Sequence, residues 1–191
     1  MNIIELAATL TGLVQGVLVL LNKRINWIFY VMQMVLLLVF SWYNHLYGDV
    51  VNDIVYIAIG CIGWYTWGKP DSKITRCRIT EKVIYVFVIL AVSAAAFYIL
   101  SKTDDSLPML DSFTTVSSFA ATYYMMRRKI DTWVIWFIND IAYSLEYFLL
   151  PNQSLLLMSL NIIWTVMAVA SYIAWFKEMS SAPQPETTNN E

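Results

Sequence analysis

Charge is what this sequence has least of. Lys, Arg, Asp and Glu make up 14% of its 191 residues, against roughly 25% in a soluble domain. Its single histidine, His45, leaves no His-rich metal site. Its two cysteines, Cys61 in an apolar run and Cys77 in a basic loop, form neither a metal-ligand spacing nor a disulfide pair. No basic patch interleaves with aromatics in a solvated stretch, so nucleic acid is not an expected partner. Glycine-rich phosphate loops, zinc spacings and Ser/His/Asp sets are missing, and no segment has the size of an ATPase domain. The chain is therefore expected to be no enzyme and to carry no cofactor or metal. The N-terminal apolar run lacks a basic leading stretch and a small-residue cleavage site, so it is expected to be a retained helix.

What the chain does have is apolar surface: 59% hydrophobic residues and a mean hydropathy of +0.57, the composition of a protein whose solvent is a bilayer. Seven runs approach the roughly 20 residues that a helix needs to cross a hydrocarbon core: 3–21, 26–44, 50–68, 83–101, 111–127, 131–150 and 154–176. The fifth is half polar, with Thr114, Thr115, Ser117, Ser118 and Thr122. It can span only if those hydroxyls face neighbouring helices or bond its own backbone. Placing the N-terminus outside puts eleven of the twelve Lys and Arg residues in the inner loops and leaves only Lys102 outside. That bias predicts an N-out, C-in multi-pass protein of the cell inner (plasma) membrane, with the lipid bilayer as a partner.

Sliding the chain by 106 residues lays Lys23, Trp27, Tyr30 and Gln33 onto Lys129, Trp133, Trp136 and Asn139; sliding by 108 lays Asp53, Tyr56, Gly63, Trp64 and Trp67 onto Asn161, Trp164, Ser171, Tyr172 and Trp175. The expected fold is an all-α integral membrane protein of seven transmembrane helices, two parallel three-helix repeats joined by a linker helix (3+1+3). Its expected units are 1–68, the first repeat; 69–110, the loop and linker helix; 111–177, the second repeat; and 178–191, a disordered tail.

One stretch carries the candidate chemistry. In WVIWFINDIAYSLEY, residues 133–147, Trp133, Trp136, Asp140, Tyr143, Ser144 and Tyr147 share one arc of a helix, with Asn139 and Glu146 at its edge. An ionisable group in a membrane helix is costly and faces a cavity or pathway. A carboxylate among π-faces suits an organic cation. The bland alternative for Asp140 is a structural carboxylate bonded to helix ends, and for Glu146 a rim residue in water. Asp53 reads equally as an interfacial acid at a helix start, but its repeat partner Asn161 lies deeper and favours a path for both. Gln33 and Asn139 form a second polar pair that either lines the path or bonds neighbouring helices. Trp164, in mid-segment, is placed to stack on a ring. Trp27, Trp42, Trp64, Trp67 and Trp175 fall at segment ends, where aromatic belts are expected without function, and Tyr123 and Tyr124 read the same way. Gly12, Gly16, Gly60 and Gly63 are expected as close-packing sites between helices.

These residues carry a resemblance. Gly63-Trp64-Tyr65-Thr66-Trp67, preceded by Asp53, is similar to the GWYxW signature of PnuC-type vitamin transporters, and Trp133-x-x-Trp136-x-x-x-Asp140 resembles that family's W-x-x-W-x-x-x-N motif. The Leu21-x-Lys23 loop, Asn26 and Asp111-Ser112 fit as well, and the likeness runs from residue 1 to about 177. It implies the 3+1+3 layout, a homotrimer, and facilitated diffusion of a dephosphorylated vitamin that a cytoplasmic kinase then traps. Where nicotinamide riboside members carry Asn, this chain has Asp140, and the residue at 53 is also acidic. That added anionic character points to the thiamine-transporting PnuT branch, with nicotinamide riboside as the alternative. The residues implied to bind are Asp140, Trp136, Trp133, Asn139, Tyr143, Glu146, Tyr147, Asp53, Gln33, Asn161 and Trp164. Two other classes stand beside this reading: a SWEET-type sugar uniporter, which shares the layout, and a membrane protein that transports nothing.

Overall fold

The computed structural model describes residues 3–45, 47–149 and 155–181. Among them are seven helices: α1 (Ile3–Leu20), α2 (Asn26–Tyr43), α3 (Tyr47–Trp67), α4 (Ile79–Leu100), α5 (Pro108–Met126), α6 (Thr132–Leu149) and α7 (Leu155–Ser181). Each expected apolar run is a helix. α3, α4 and α5 begin three or four residues earlier than expected, and α7 runs to Ser181, so residues 178–181 of the expected tail are helix. Beyond α7's apolar stretch, the Asn22 amide donates to Glu178 at 2.7 Å. The rest of that tail, 182–191, lies outside the described residues.

Among the described residues, four stretches are long and apolar enough to cross a membrane: Asn26–Tyr43, Val50–Trp67, Ile79–Leu100 and Met158–Ser181. α1 falls short on length, its apolar stretch being Leu6–Leu20, whereas α5 and α6 carry the polar groups. α5 is the clearest case: Ser112, Thr114, Ser117, Ser118 and Thr122 are all buried. Their hydroxyls donate to carbonyls three or four residues back, such as Ser118 to Thr114 at 2.8 Å and Thr122 to Ser118 at 2.8 Å. Both ways of satisfying a half-polar helix are thus used at once. α5 packs on α3, α4 and α6 and occupies the middle of the fold, while α6 packs on α7, and α2 on α1 and α3.

The two tight turns α1–α2 and α5–α6 are built alike. Asn22 (φ 51°) and Arg128 (φ 50°), 106 residues apart, both take the left-handed conformation. In each turn the amide of the next residue reaches back five positions (Lys23 to Leu18, 2.9 Å; Lys129 to Tyr124, 3.0 Å). The left-handed residue itself reaches back three (Asn22 to Val19, 2.9 Å; Arg128 to Met125, 3.0 Å). This is the helix stop that satisfies the last orphan carbonyls. Asn tolerates that φ through its short polar side chain. Arg128 is held there by its surroundings: its guanidinium lies over the Trp67 ring at 4.4 Å and donates to the Ser72 carbonyl.

The segment before α4 is strapped to the α5–α6 turn. Thr75 and Lys129 form an isolated parallel bridge, the Cys77 amide donates to Asp131 at 2.7 Å, and Lys82 pairs with Asp131 at 2.6 Å. Burial opposes ionisation of Asp131, but the Cys77 amide and the Lys82 ammonium outweigh it, so its carboxyl lies below the ordinary carboxylate range. A depressed carboxylate contributes stability above its unfolded pKa and loses it as pH falls through the folded value. Asp131→Asn is therefore expected to lower unfolding stability by about 1 kcal/mol, equally at pH 6 and pH 8. The gap to the unsubstituted protein should close below about pH 4, read as unfolding midpoints over that range.

Candidate functional site

At the end where the basic loops gather, four tryptophans fill the centre. Trp27 and Trp175 are 0% exposed, and Trp67 and Trp133 are nearly as buried. Trp67 meets Trp27 at 5.6 Å and Trp175 at 5.7 Å, and Trp175 meets Trp133 at 5.2 Å, ring centre to ring centre. The Trp67 indole N–H donates to the Met125 and Met126 carbonyls at 3.2 and 3.1 Å, ending α5. The Trp175 indole donates to the Val19 carbonyl at 2.9 Å, ending α1. Val19 and Met125 are again 106 residues apart. The belt reading is thereby corrected for Trp27, Trp67 and Trp175, and likewise for Tyr124: these rings are core. Trp42, 60% exposed, Trp64 and Tyr123 stay on the outer surface, as belts require. Depth along the membrane is legible from a segment end; which side of the helix meets a neighbour is not.

Above this cluster lies a cavity of about 340 Å³, within the range of small-molecule sites. α6 contributes Trp133, Trp136, Asp140 and Tyr143; α7 contributes Asn161, Trp164, Met167, Ala168 and Ser171. α1 supplies Gly12, Gln15, Gly16 and Val19, α2 supplies Tyr30, Gln33 and Met34, α3 supplies Tyr56, and α5 supplies Ser118, Thr122 and Met125. Gly12 and Gly16 let α1 approach: a Cβ on Gly12 would meet the Gln33 amide at 2.5 Å, and one on Gly16 the Trp164 ring at 2.6 Å. They are the close-packing positions that the sequence suggested.

Seven of the residues singled out in the sequence therefore meet in one cavity: Asp140, Trp136, Trp133, Tyr143, Gln33, Asn161 and Trp164. Four stand apart. Asn139 is wholly buried and joins α6 to α5: Ser117 donates to its Oδ1 at 2.6 Å and its Nδ2 donates to Ser118 at 2.9 Å. Glu146 accepts from Thr114 at 3.2 Å. Tyr147 stacks on Tyr143 with ring centres 6.1 Å apart. Asp53 is buried and accepts from Ser41 at 3.3 Å, between α2 and α3. Gln15, Tyr30, Tyr56, Ser118 and Thr122 were not singled out as site residues. Tyr30 sits opposite Trp136 at the shift of 106 and Tyr56 opposite Trp164 at the shift of 108, and that register was the available signal.

Asn139→Ala is expected to cost about 1 kcal/mol of stability, the scale of a buried interhelical bond in a membrane. Ligand affinity should change less than threefold, because Ser117 and Ser118 keep their carbonyl partners (Phe113, 2.6 Å; Thr114, 2.8 Å). A melting curve and a binding titration on the same sample separate the two effects.

Asp140 is 6% exposed, and that exposure faces the cavity. Among the described residues no hydrogen bond or ion pair reaches its carboxylate. Among the described residues no Lys, Arg or His lines the cavity. A buried carboxylate with no cation of its own is costly to keep ionised, and a ligand cation relieves that cost. The surrounding rings of Trp136, Tyr143 and Trp164 offer π-faces to the same cation. The amides of Gln15, Gln33 and Asn161 and the hydroxyls of Ser118, Thr122 and Ser171 supply polar contacts.

A profile of the family described as nicotinamide mononucleotide transporter matches residues 2–177. The chain is 25% identical over 185 residues to the nicotinamide riboside transporter PnuC of Neisseria mucosa, covering 89% of this chain and 70% of that one. It is 23% identical to the Escherichia coli nicotinamide riboside transporter PnuC, covering 77% and 80%. With the riboflavin/roseoflavin transporter RibM of Streptomyces davaonensis it shares 24% identity, over 53% of this chain and 52% of that one. In fold it is similar to a crystal structure of the vitamin B3 transporter PnuC, with a TM-score of 0.71 at 22% identity, over 91% of this chain and 80% of that chain.

Proposed function

The chain belongs to the nicotinamide mononucleotide transporter family, and from that premise we propose that it passes a cationic aromatic vitamin across the membrane by facilitated diffusion. The observation that carries this reading is Asp140, buried against a cavity that holds aromatic faces and no basic side chain. A ring cation fits that field; a phosphate group does not. Nicotinamide mononucleotide would bring its phosphate charge beside Asp140 with no cation to receive it, so the substrate is the dephosphorylated form.

Thiamine is the first candidate, because the carboxylate and the amides of Gln33 and Asn161 can pair its aminopyrimidine while the thiazolium takes the charge. Nicotinamide riboside is the second. It is favoured by the relatives' substrate and by the hydroxyls and amides of Gln15, Ser118, Thr122 and Asn161, which suit a ribose. Glu146 and Asp53, outside the cavity, act in this reading on the approach to it, and Asn139 and Tyr147 hold Ser118 and Tyr143 in place.

The transport cycle follows from a 3+1+3 arrangement of seven crossings, α1–α3 and α5–α7 as parallel repeats with α4 between them, N-terminus outside. Its support is the matched turns at Asn22 and Arg128 and the matched indole bonds, each from the third helix of one repeat to the first helix of the other. Opening the inner side by rocking the halves breaks both bonds and parts the four tryptophans. Phosphoryl transfer to the vitamin inside the cell sets the direction.

The test is a titration of the purified protein, reading quenching of its tryptophans, with thiamine, nicotinamide riboside, nicotinamide mononucleotide and riboflavin. Tight quenching by thiamine supports the first reading, and tight quenching by nicotinamide riboside supports the second. Mononucleotide binding as tight as riboside would overturn the charge argument, and silence with all four would overturn the site.

A further inference from the structure

A second cavity, of about 330 Å³, lies outside the first, in the wedge between α4 and α6. α4 packs on α5 and α6 packs on α5 from the other side, while α4 and α6 do not pack together. The wedge walls are apolar: Val86 and Leu90 from α4, Phe113 from α5, and Val134 and Ile138 from α6. Along α4 the wedge runs from Lys82 to Leu90, about 12 Å at 1.5 Å per residue. That is most of the roughly 15 Å depth of one leaflet in a hydrocarbon core about 30 Å thick.

The charged side chains lining the wedge, Lys82 and Asp131, lie at one end with Cys77 and Tyr124; a further polar group in its wall, Ser117, is bonded to Phe113 and Asn139. The charges at that end are unequal in what they leave over. Lys82 is neutralised by Asp131 at 2.6 Å, and Lys129 faces Glu81 at 3.7 Å. Arg78, which precedes α4, and Arg127, which follows α5, are exposed, and among the described residues neither is in an ion pair. Arg127 lies over Tyr123 and donates to its hydroxyl at 2.9 Å. Tyr123 in turn stacks with Tyr85 on the wedge wall. α4 begins at the same end with a capping box, in which the Arg78 amide donates to Glu81 at 2.8 Å, and the positive end of its dipole faces that way.

We propose that this wedge is a binding site for one anionic phospholipid, with an acyl chain between α4 and α6 and the phosphate between Arg78, Arg127 and the start of α4. Charge complementarity and depth together select this occupant. A zwitterionic lipid fills the wedge equally well, but its own cation cancels the attraction of the arginines. A basic pocket between membrane helices is the setting in which anionic headgroups are retained. The site rests on the membrane reading of the chain and is independent of which vitamin is carried.

Native mass spectrometry of the full chain, released from nanodiscs of equal phosphatidylglycerol and phosphatidylcholine, tests the proposal. The unsubstituted protein is expected to retain one phosphatidylglycerol with a preference of roughly tenfold or more, from two arginines. Arg78→Gln with Arg127→Gln should bring that preference to about one while lipid is still retained. Val134→Trp, at a position 48% exposed and facing the wedge, should remove retention of both lipids. Its vitamin titration should stay unchanged, which shows that it folds. Equal retention of the two lipids by the unsubstituted protein would overturn the proposal, as would undiminished retention by Val134→Trp. So would a protein–protein cross-link through Cys substituted at Val134 that lipid does not suppress, since a second copy would then fill the wedge.

Discussion

Asp140→Ala is expected to leave a folded protein whose affinity for thiamine falls about thirtyfold or more, with uptake reduced in parallel. The reasoning runs from charge. The carboxylate faces the cavity with no bonding partner among the described residues, and the cavity supplies no other ionised acid. Removing it takes away the one carboxylate that a ring cation meets among the described lining residues. Loss of a desolvated ionic contact costs about 2–5 kcal/mol, and 1.4 kcal/mol is tenfold in affinity. Stability should not fall, because no protein group loses a bond and an uncompensated carboxylate leaves the interior. Asp140→Asn is the sharper variant. It keeps shape and polarity, so it should recover nicotinamide riboside binding, where ribose contacts carry weight, better than thiamine binding. Parallel titrations of the two variants decide the matter: equal affinity of all three proteins for thiamine would remove Asp140 from the site.

The features legible in the sequence were those that a single helix carries by itself. The seven helices came from run length, and the face of α6 that meets the cavity came from the 3.6-residue period, which set Trp133, Trp136, Asp140 and Tyr143 on one arc. Asn139 shows where that reasoning stops. One residue from Asp140, it is turned by about 100°, and the identity of the wall there depends on a neighbouring helix. That neighbour is α5, whose Ser117 and Ser118 each hold one end of the amide and keep it out of the cavity lining. Asp53 likewise stands outside the cavity, where Ser41 on α2 donates to it. The tryptophans at segment ends failed in the opposite sense. Trp27, Trp67 and Trp175 sit at the depth of a belt, but they point inward, and hydropathy does not distinguish the two. The register did hold the answer: the shifts of 106 and 108 residues pair Trp27 with Trp133 and Trp67 with Trp175. On the proposed reading of two parallel repeats, such equivalent residues would converge on the axis between them.

Three glycine-to-alanine variants should separate packing from binding, because each added methyl meets a different kind of neighbour. At Gly63 the Cβ would lie 2.5 Å from the Trp27 ring, and Trp27 has no room to move, being 0% exposed and held between Tyr30 and Trp67. Gly63→Ala is thus expected to destabilise the fold by about 1–3 kcal/mol, the cost of overpacking. At Gly12 the neighbour is the amide end of Gln33, the tip of a flexible chain that can swing within the cavity, so Gly12→Ala should change stability and affinity little. Gly16 differs from both. Its Cβ would meet the Trp164 ring at 2.6 Å and the Met167 methyl at 3.2 Å, and Trp164 borders the cavity. The ring has somewhere to go, and that place is the ligand's. Gly16→Ala should therefore melt close to the unsubstituted protein yet bind roughly tenfold to a hundredfold more weakly, the penalty of about 1–3 kcal/mol falling on the complex instead of the fold. Melting curves and titrations on the three proteins read the pattern directly. A Gly16→Ala protein that unfolds early and binds normally would show that Trp164 is clamped like Trp27, and would take it out of the path.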